Sequence, residues 1–193
     1  MPLRVIAGSA RGVRLQTPRG SATRPTSARL RESLFGMLEA ADADLSSVLD
    51  LYAGSGALGI EALSRGAGRC VFVESSRRVC RVLRDNLERA GMSDRGEVVS
   101  GRIGRWRAHE DDRFTLVLAD PPYDDGGAWR AIERAIEGAI APGALIAVEH
   151  AARNQAPAAL GGCAVWRRRR QGDGAIAAYR CLVSREEAEE PQP

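Results

Sequence analysis

Residues 47–61 read SVLDLYAGSGALGIE, and this segment decides the fold because an apolar strand runs through a glycine turn into a helix. Gly54 and Gly56 can adopt positive φ, and they leave bare backbone against which a ligand can lie. The helix predicted from Ala57 to about Ser64 directs its first N–H groups at that ligand. The segment therefore predicts a strand–loop–helix ligand site in an α/β protein.

A second strand places an acid near this loop. Residues 70–74, CVFVE, end on Glu74, where a carboxylate can hold the two hydroxyls of a ribose. Residues 54–59 also fit the dinucleotide fingerprint G-x-G-x-x-G, so a nicotinamide or flavin oxidoreductase is an alternative. Asp50 argues against that alternative because its carboxylate would repel a pyrophosphate. The same carboxylate suits a ligand that carries a sulfonium or ammonium group and no phosphate, as S-adenosylmethionine does.

Residues 114–123, FTLVLADPPY, form the second motif. The prolines fix φ and lack an N–H group, so the strand must end there and present Asp120 and Tyr123 on a rigid turn. Ligands of open α/β sheets bind at the carboxyl ends of the strands. Asp120 and a proline carbonyl can accept both N–H hydrogens of an exocyclic amino group while Tyr123 stacks on the ring that carries it. The alternative is a strand-ending turn in which Asp120 is only a cap.

Taken together, these motifs resemble the class I S-adenosylmethionine-dependent methyltransferases that act on exocyclic or amide nitrogens. Residues 4–15, RVIAGSARGVRL, and 24–35, RPTSARLRESLF, are similar to the RsmD-type 16S ribosomal RNA (guanine-N2) methyltransferase family, and the resemblance covers nearly the whole chain. It implies an α/β, Rossmann-like class I methyltransferase sheet of seven strands with the last strand antiparallel. A small N-terminal β-hairpin and helix extension would precede that sheet.

The resemblance also implies a reaction, a cofactor and a partner. The donor would be S-adenosyl-L-methionine, with S-adenosyl-L-homocysteine as product and no metal, and the substrate would be 16S ribosomal RNA within a 30S subunit or assembly particle. The residues expected to bind the cofactor are Asp50, Tyr52, Gly54, Ser55, Gly56, Glu74, Ser75, Arg102 and Asp120. Those expected to carry catalysis are Asp120, Pro121, Pro122 and Tyr123. Those expected to contact RNA are Arg4, Arg11, Arg14, Arg24, Arg29 and Arg31.

Charge supports an RNA partner. All 28 basic residues are arginine, which suits phosphate forks and base stacking better than lysine does. Residues 1–35 hold seven arginines against the single acid Glu32, as expected of an arm that binds a phosphate backbone. A solvated charged face is the alternative. Residues 167–170, RRRR, have two open interpretations: they clamp RNA, or they protect an exposed sheet edge from aggregation.

The hydrophobic pattern predicts an alternating α/β series with right-handed crossovers. The expected elements are a hairpin of residues 3–6 and 13–16, a helix capped by Thr26 or Ser27 and running to about 40, strands 47–52, 70–74, 96–100, 114–119 and 144–149, helices 57–65, 76–90 and 128–140, and a hairpin of 164–170 and 175–183. Glu149, at the end of its strand, and His150 are interpreted as structural.

Length and composition indicate one compact enzyme. A chain of 193 residues normally forms one core, and we expect an extension at 1–40, a methyltransferase domain at 41–185 and a disordered acidic tail at 186–193. It has neither an apolar run of ~18 residues nor an apolar signal core, so we expect a cytoplasmic protein. We also expect a monomer. Cys70 and Cys181 are predicted to be buried thiols.

Four other functions stay open at this point. DNA adenine-N6 and protein glutamine methylation would use the same strand-end motif, and the basic N-terminal arm together with its resemblance to the RsmD-type family favours ribosomal RNA over both. A dinucleotide oxidoreductase would need a pyrophosphate at the glycine turn. A non-catalytic RNA-binding module would not need both Glu74 and Asp120 at strand ends.

Overall fold

The computed structural model of the chain describes residues 3–18 and 28–182. Within those ranges the elements are α1 (Ala28–Glu39), β1 (Ser47–Leu51), α2 (Ala57–Ser64), β2 (Arg69–Glu74), α3 (Arg77–Ala90), β3 (Gly96–Ser100), β4 (Phe114–Ala119), α4 (Ala128–Ile136), β5 (Ile140–Ala151), β6 (Ala159–Leu160), β7 (Cys163–Gln171) and β8 (Gly174–Arg180). Three predicted features, Arg24, the caps Thr26 and Ser27, and the acidic tail 186–193, lie outside the described residues.

All eight strands join one sheet in the order β3-β2-β1-β4-β5-β8-β7-β6. Strands β1 to β5 are parallel, and β8 is antiparallel to both β5 and β7. The predicted class I methyltransferase sheet with a last antiparallel strand is therefore confirmed. The strand count of seven is wrong by one, because the short strand β6 pairs with the start of β7.

The sheet is buried between two apolar layers. Helices α1, α2 and α3 cover one face, where Phe72 of β2 meets Leu83 of α3. Helix α4 covers the other face, where Leu49 of β1 shares a cluster with Ile132. Central strands buried on both faces explain why residues 47–51 and 114–119 read as nearly unbroken apolar runs.

The N-terminal segment forms the predicted hairpin and packs into the first of these layers. The Leu15 N–H group donates to the Leu3 carbonyl at 3.0 Å and the Val5 N–H group donates to the Val13 carbonyl at 3.1 Å, and Arg4 and Arg14 form an isolated antiparallel bridge. Val5 and Leu15 are buried in the cluster that contains α1 and α2. Backbone pairing and apolar contacts with the core therefore both hold the hairpin in place.

Helix boundaries follow local chemistry. Ser76 caps α3 by accepting a hydrogen bond from the Val79 N–H group, and Gly91 ends the helix in the left-handed region, as the sequence predicted. Helix α4 stops at Ile136, earlier than predicted, because Gly138 adopts φ 73° and turns the chain into β5. Among the described residues, no helix has both the length and the apolar character needed to cross a membrane.

The cysteines divide into two kinds. Cys70 is a buried thiol, as predicted, and burial raises its pKa. The prediction that Cys181 is a thiol is wrong: Cys181 forms a disulfide with Cys163. The pairing of Ala164 with Arg180 brings these flanking cysteines together, with Cα atoms 4.1 Å apart.

Candidate active site

Three neighbouring strands bring the predicted site residues together at one edge of the sheet. Leu51, the last residue of β1, pairs with Val73 on one side and with Ala119 on the other. Glu74, Tyr52 and Asp120 follow those residues, so they lie side by side at the carboxyl ends of β2, β1 and β4. The strand order reverses direction between β1 and β4, which is where open α/β sheets form their ligand crevice.

The glycine turn has one side toward the protein and one side toward open space. Both Gly54 and Gly56 have positive φ, at 54° and 80°. A Cβ atom on Gly56 would lie 2.1 Å from Leu83 of α3, so that glycine is needed for packing. A Cβ atom on Gly54 would meet only the Tyr52 carbonyl, at 3.8 Å. Gly54 is therefore the position at which a ligand can approach the backbone.

The rest of the loop is held from behind. The Asn86 side-chain amide donates to the Ser55 carbonyl at 2.8 Å and to the Gln16 carbonyl at 3.0 Å. Asn86 is fully buried, so one side chain of α3 joins the glycine turn to the N-terminal segment. This contact links Ser55 to the scaffold through its carbonyl.

Glu74 organises the loops on both sides of it. One carboxylate oxygen accepts from the Gly54 N–H group at 3.1 Å, and the other accepts from the Ser76 N–H group at 2.7 Å. The exposed Ser75 hydroxyl also donates to Glu74, at 3.2 Å. Since each carboxylate oxygen carries two lone pairs, Glu74 keeps acceptor capacity for hydroxyl groups of a ligand.

Asp50 lies beneath this crevice and has little contact with solvent. It is 1% exposed, and its Oδ2 atom accepts a hydrogen bond from the Gly59 N–H group at 2.9 Å. Burial raises its pKa to about 8; the Gly59 hydrogen bond opposes this shift, whereas Asp120 and Glu74 reinforce it. A buried Asp50 can affect a ligand only through space, and a cation in the crevice would favour its ionised form.

Tyr52, between these acids, adopts the left-handed backbone conformation that non-glycine residues rarely use, with φ 58°. Its side chain is partly buried, and burial raises the pKa of its phenol to about 12, with a further contribution from Asp125. The phenol is therefore neutral at physiological pH and can donate a hydrogen bond.

In the turn after β4, one of the two proline carbonyls is already occupied. The Pro122 carbonyl accepts from the Asp125 N–H group at 3.0 Å, so of the two it is not the one available to a target amine. No donor among the described residues bonds to the Pro121 carbonyl. Pro121 is buried and Asp120 is partly buried, so both stand at the floor of the crevice.

Tyr123 is held by a residue that sequence reasoning interpreted as structural only. Its hydroxyl donates to Glu149 Oε1 at 3.0 Å, and Glu149 is 5% exposed. The Asn154 side chain donates to the Tyr123 carbonyl at 3.2 Å. The available signal was topological: Glu149 stands near the carboxyl end of β5, which runs parallel to β4, so it lies at the same edge as Asp120.

His150, in contrast, keeps the structural interpretation. Its ring lies edge-on to Trp129 with centroids 5.5 Å apart, and Nδ1 contacts the Ala151 carbonyl at 3.0 Å. Burial lowers the pKa of His150, which favours the neutral ring.

The arginines predicted to contact RNA fall into four groups. Arg11, Arg14 and Arg29 are exposed, Arg4 is partly buried and donates to the Gly12 carbonyl at 2.8 Å, and Arg24 lies outside the described residues. Arg31 is 1% exposed, which corrects its assignment to the RNA-contacting surface.

Arg31 lies in the interior because it fastens the N-terminal segment. Its Nη2 atom donates to the Arg4 carbonyl at 2.7 Å, whereas Nε and Nη1 have no hydrogen-bond partner among the described residues. Burial lowers its pKa, and the carboxylates of Glu61 and Glu149 oppose that shift. Glu61, itself fully buried, accepts from the N–H groups of Ile6 at 2.7 Å and Ala7 at 3.0 Å.

Arg102 is exposed and stands in the turn that follows β3. Its carbonyl accepts from the N–H groups of Arg105 and Trp106, both at 2.8 Å. The neighbouring Ile103 is buried in the cluster that contains Val73, so an apolar side chain lies next to Arg102, a predicted cofactor-binding residue. In the described ranges, no group of three or more His, Cys, Asp or Glu side chains is arranged to hold a metal ion.

Comparisons with known proteins agree with this geometry. The chain matches the family described as Conserved hypothetical protein 95 over residues 3–180. It is 37% identical over 158 residues to ribosomal RNA small subunit methyltransferase D of Escherichia coli (strain K12), covering 80% of this chain and 78% of that one. The solved structure of yhhF from Escherichia coli is 32% identical, with a TM-score of 0.78 over 95% of this chain and 100% of that one. An RNA methyltransferase from Salinibacter ruber in complex with S-adenosyl-L-homocysteine shares the fold, at 21% identity and a TM-score of 0.60 over 88% of this chain and 98% of that one.

Proposed function

We propose a specific activity for this chain, which belongs to the Conserved hypothetical protein 95 family and to the family of ribosomal RNA small subunit methyltransferase D. The proposed reaction is methylation of the exocyclic N2 of a guanine in 16S ribosomal RNA, with S-adenosyl-L-methionine as donor. The observation that carries the proposal is that Glu74 and the turn of Asp120 to Tyr123 stand at the same edge of the sheet, on either side of Tyr52, with the open side of Gly54 close by. A donor crevice and a holder for a planar amine are adjacent at the switch point of the sheet.

The charges of the crevice fit this donor. Glu74 and Asp120 form an acidic group that favours a sulfonium and an ammonium and disfavours a pyrophosphate, and a bound cation would favour the ionised form of the buried Asp50 beside them. Glu74 would hold the ribose hydroxyls, and the Gly54 backbone would lie against the methionine part. When bound, S-adenosylmethionine supplies a methyl group that is already activated, and the chain's own residues position the acceptor. The acidic group also argues against a dinucleotide oxidoreductase.

The target amine would be held by two acceptors of the turn. The lone pair of guanine N2 is delocalised into the ring, so N2 is a poor nucleophile. Hydrogen bonds from its two N–H groups to Asp120 and to the Pro121 carbonyl would favour a more tetrahedral nitrogen and direct its lone pair. Tyr123, held by Glu149, would stack on a base that is splayed from its helix or lies in a loop. Alignment and electrostatics then supply most of the catalysis.

The exposed arginines of the N-terminal segment would deliver the RNA. Arg11 and Arg14 stand free of ion pairs with the described carboxylates, so they are available to phosphates. This basic arm favours a nucleic acid over a protein substrate, and membership of the family of ribosomal RNA small subunit methyltransferase D favours ribosomal RNA over DNA. Such an enzyme would act on a 30S subunit or assembly particle, in the cytoplasm and as a monomer.

The test is the variant Asp120→Asn, which removes the charge and keeps the size of the side chain. Methyl transfer should fall by about 10²–10³-fold, the usual loss when one electrostatic contact to the reacting group is removed. Cofactor affinity by titration calorimetry should change much less. Asp124→Asn is the matched control, because Asp124 lies in the same turn, exposed and paired with Arg153.

Radiolabelled transfer to 30S particles and to protein-free 16S ribosomal RNA, followed by nucleoside analysis, identifies the product. N2-methylguanosine is expected. Label on adenine N6 or on a protein, or the absence of label from RNA, would overturn the assignment of guanine N2 as the target. Near-normal transfer by folded Asp120→Asn would remove Asp120 from the reaction.

A further inference from the structure

Strand β7 carries five consecutive residues, Trp166 to Arg170, that the proposed function has not used. Trp166 is 37% exposed, and all four arginines are exposed. None of the four forms a salt bridge with a carboxylate in the part of the chain that the structure describes. Because side chains of a strand alternate between its two faces, the arginines project to both sides of the sheet. We call these five residues the arginine strand.

One end of the arginine strand reaches the candidate active site. Arg170 and Tyr123 line the same cavity of about 250 Å³, together with Arg153 and Asp173. The start of β8 also lies close to Tyr123, since a Cβ atom on Gly174 would lie 2.9 Å from the Tyr123 hydroxyl. An RNA strand that leaves the stacked base at Tyr123 would therefore meet Arg170 first.

Two of the other arginines line a groove against α1. Arg167 and Arg169 form one wall of a cavity of about 300 Å³, and the facing wall is Ser33, Gly36, Met37 and Ala40. No acid among the described residues lines this groove. The exposed Arg29 lies one turn before Ser33 on the same stripe of α1, so it extends the positive surface. From Trp166 to Arg170 the strand spans about 13 Å, which is room for more than one phosphate.

Trp166 gives the surface a second kind of contact. The guanidinium carbons of Arg180 and Arg167 lie 4.9 Å and 5.7 Å from its ring centroid. An exposed indole beside guanidinium groups sets planar groups on which a base can stack next to phosphate-binding charges, the combination that single-stranded RNA uses. A sheet edge protected only against aggregation needs the charges but not the exposed indole.

We propose that the arginine strand is a second RNA-contacting surface, separate from the N-terminal arm, that holds the ribosomal RNA flanking the target base as it leaves the active-site mouth. The identity of the RNA rests on the proposed function, whereas the charge and the aromatic group come from β7 itself.

The experiment measures binding of the full chain to unmodified, protein-free 16S ribosomal RNA over a series of salt concentrations. A plot of log affinity against log salt has a negative slope. The double variant Arg167→Gln/Arg169→Gln should make this slope shallower by about 1.4–1.8, since each lost phosphate contact contributes roughly 0.7–0.9. Arg81→Gln/Arg89→Gln removes the same charge from exposed positions of α3, which packs on β2 and β3 at the opposite end of the sheet, and should leave the slope unchanged. Trp166→Ala should weaken binding roughly 5- to 150-fold without changing the slope, because stacking releases no counterions.

Each other outcome decides between the surface and the reaction. Equal slopes for the two double variants would overturn the proposal that the arginine strand contacts RNA. Normal methyl transfer by the wild type would at the same time support the proposed function. A wild type that transfers no methyl group to RNA, but loses RNA binding through the arginine strand, would keep the surface and overturn the reaction. A loss seen with 30S subunits and absent with protein-free RNA would mean that β7 contacts a ribosomal protein, and would overturn the assignment to RNA.

Discussion

The buried carboxyl of Asp50 makes the stability of this protein depend on pH in a defined direction. It accepts one backbone hydrogen bond, from Gly59, and it lies in the field of Asp120 and Glu74. The variant Asp50→Asn keeps the size of the side chain and an oxygen acceptor for Gly59, and it removes the titration. The difference in unfolding free energy between variant and wild type therefore isolates Asp50, because all other titrating groups are common to both chains.

The magnitude follows from the two pKa values. The pKa of Asp50 is 3.8 in an unfolded chain and about 8 in the folded one. Between these values the folded wild type holds one proton more than the unfolded chain, so its stability falls as pH rises, by about 1.4 kcal/mol per pH unit. The favourable contribution is complete below pH 3.8 and is lost as pH rises through about 8. From pH 5 to pH 7 the variant should gain about 2.7 kcal/mol relative to the wild type.

Urea unfolding at pH 5, 6, 7 and 8, without cofactor, measures this difference. Asp85→Asn serves as the control for loss of one carboxylate, because Asp85 is exposed on α3. Saturating S-adenosylmethionine should flatten the slope, since a cation in the crevice favours the ionised carboxylate. A difference between Asp50→Asn and wild type that stays constant from pH 5 to pH 8 would refute the buried, protonated carboxyl.

Two further predictions test the parts that hold the site. Tyr123→Phe and Glu149→Ala should each lower kcat several-fold at unchanged cofactor affinity. The kcat of the double variant should be no lower than that of the worse single variant, because Glu149 acts by holding the Tyr123 hydroxyl. Additive losses in kcat would contradict that role. Gly8→Ala should destabilise the chain by about 1–3 kcal/mol more than Gly12→Ala in urea unfolding. Both glycines have positive φ, but a Cβ atom on Gly8 would lie 1.8 Å from the Ser64 carbonyl oxygen, and one on Gly12 meets nothing within 4 Å; equal losses would show that the N-terminal segment yields without cost.

Local sequence patterns were sufficient for the elements and for the centre of the site. The apolar runs, the glycine turn and the Asp-Pro-Pro-Tyr turn are signals within about ten residues, and backbone sterics alone turn them into strands, a helix start and a strand end. Parallel pairing then requires Glu74, Tyr52 and Asp120 to meet at one edge, because consecutive crossovers place the carboxyl ends of parallel strands together.

What the sequence could not determine depends on contacts between distant segments. Glu149 reaches Tyr123 only because β5 lies next to β4, and Cys181 reaches Cys163 only because β8 returns antiparallel to β7. Arg31 looks in sequence like its neighbours in a basic arm, yet packing of the N-terminal segment on α2 buries it. Burial and electrostatic fields are sums over neighbours brought together by folding, so the identity of a residue can suggest chemistry, whereas its exposure, its partner and its pKa are decided by the tertiary structure.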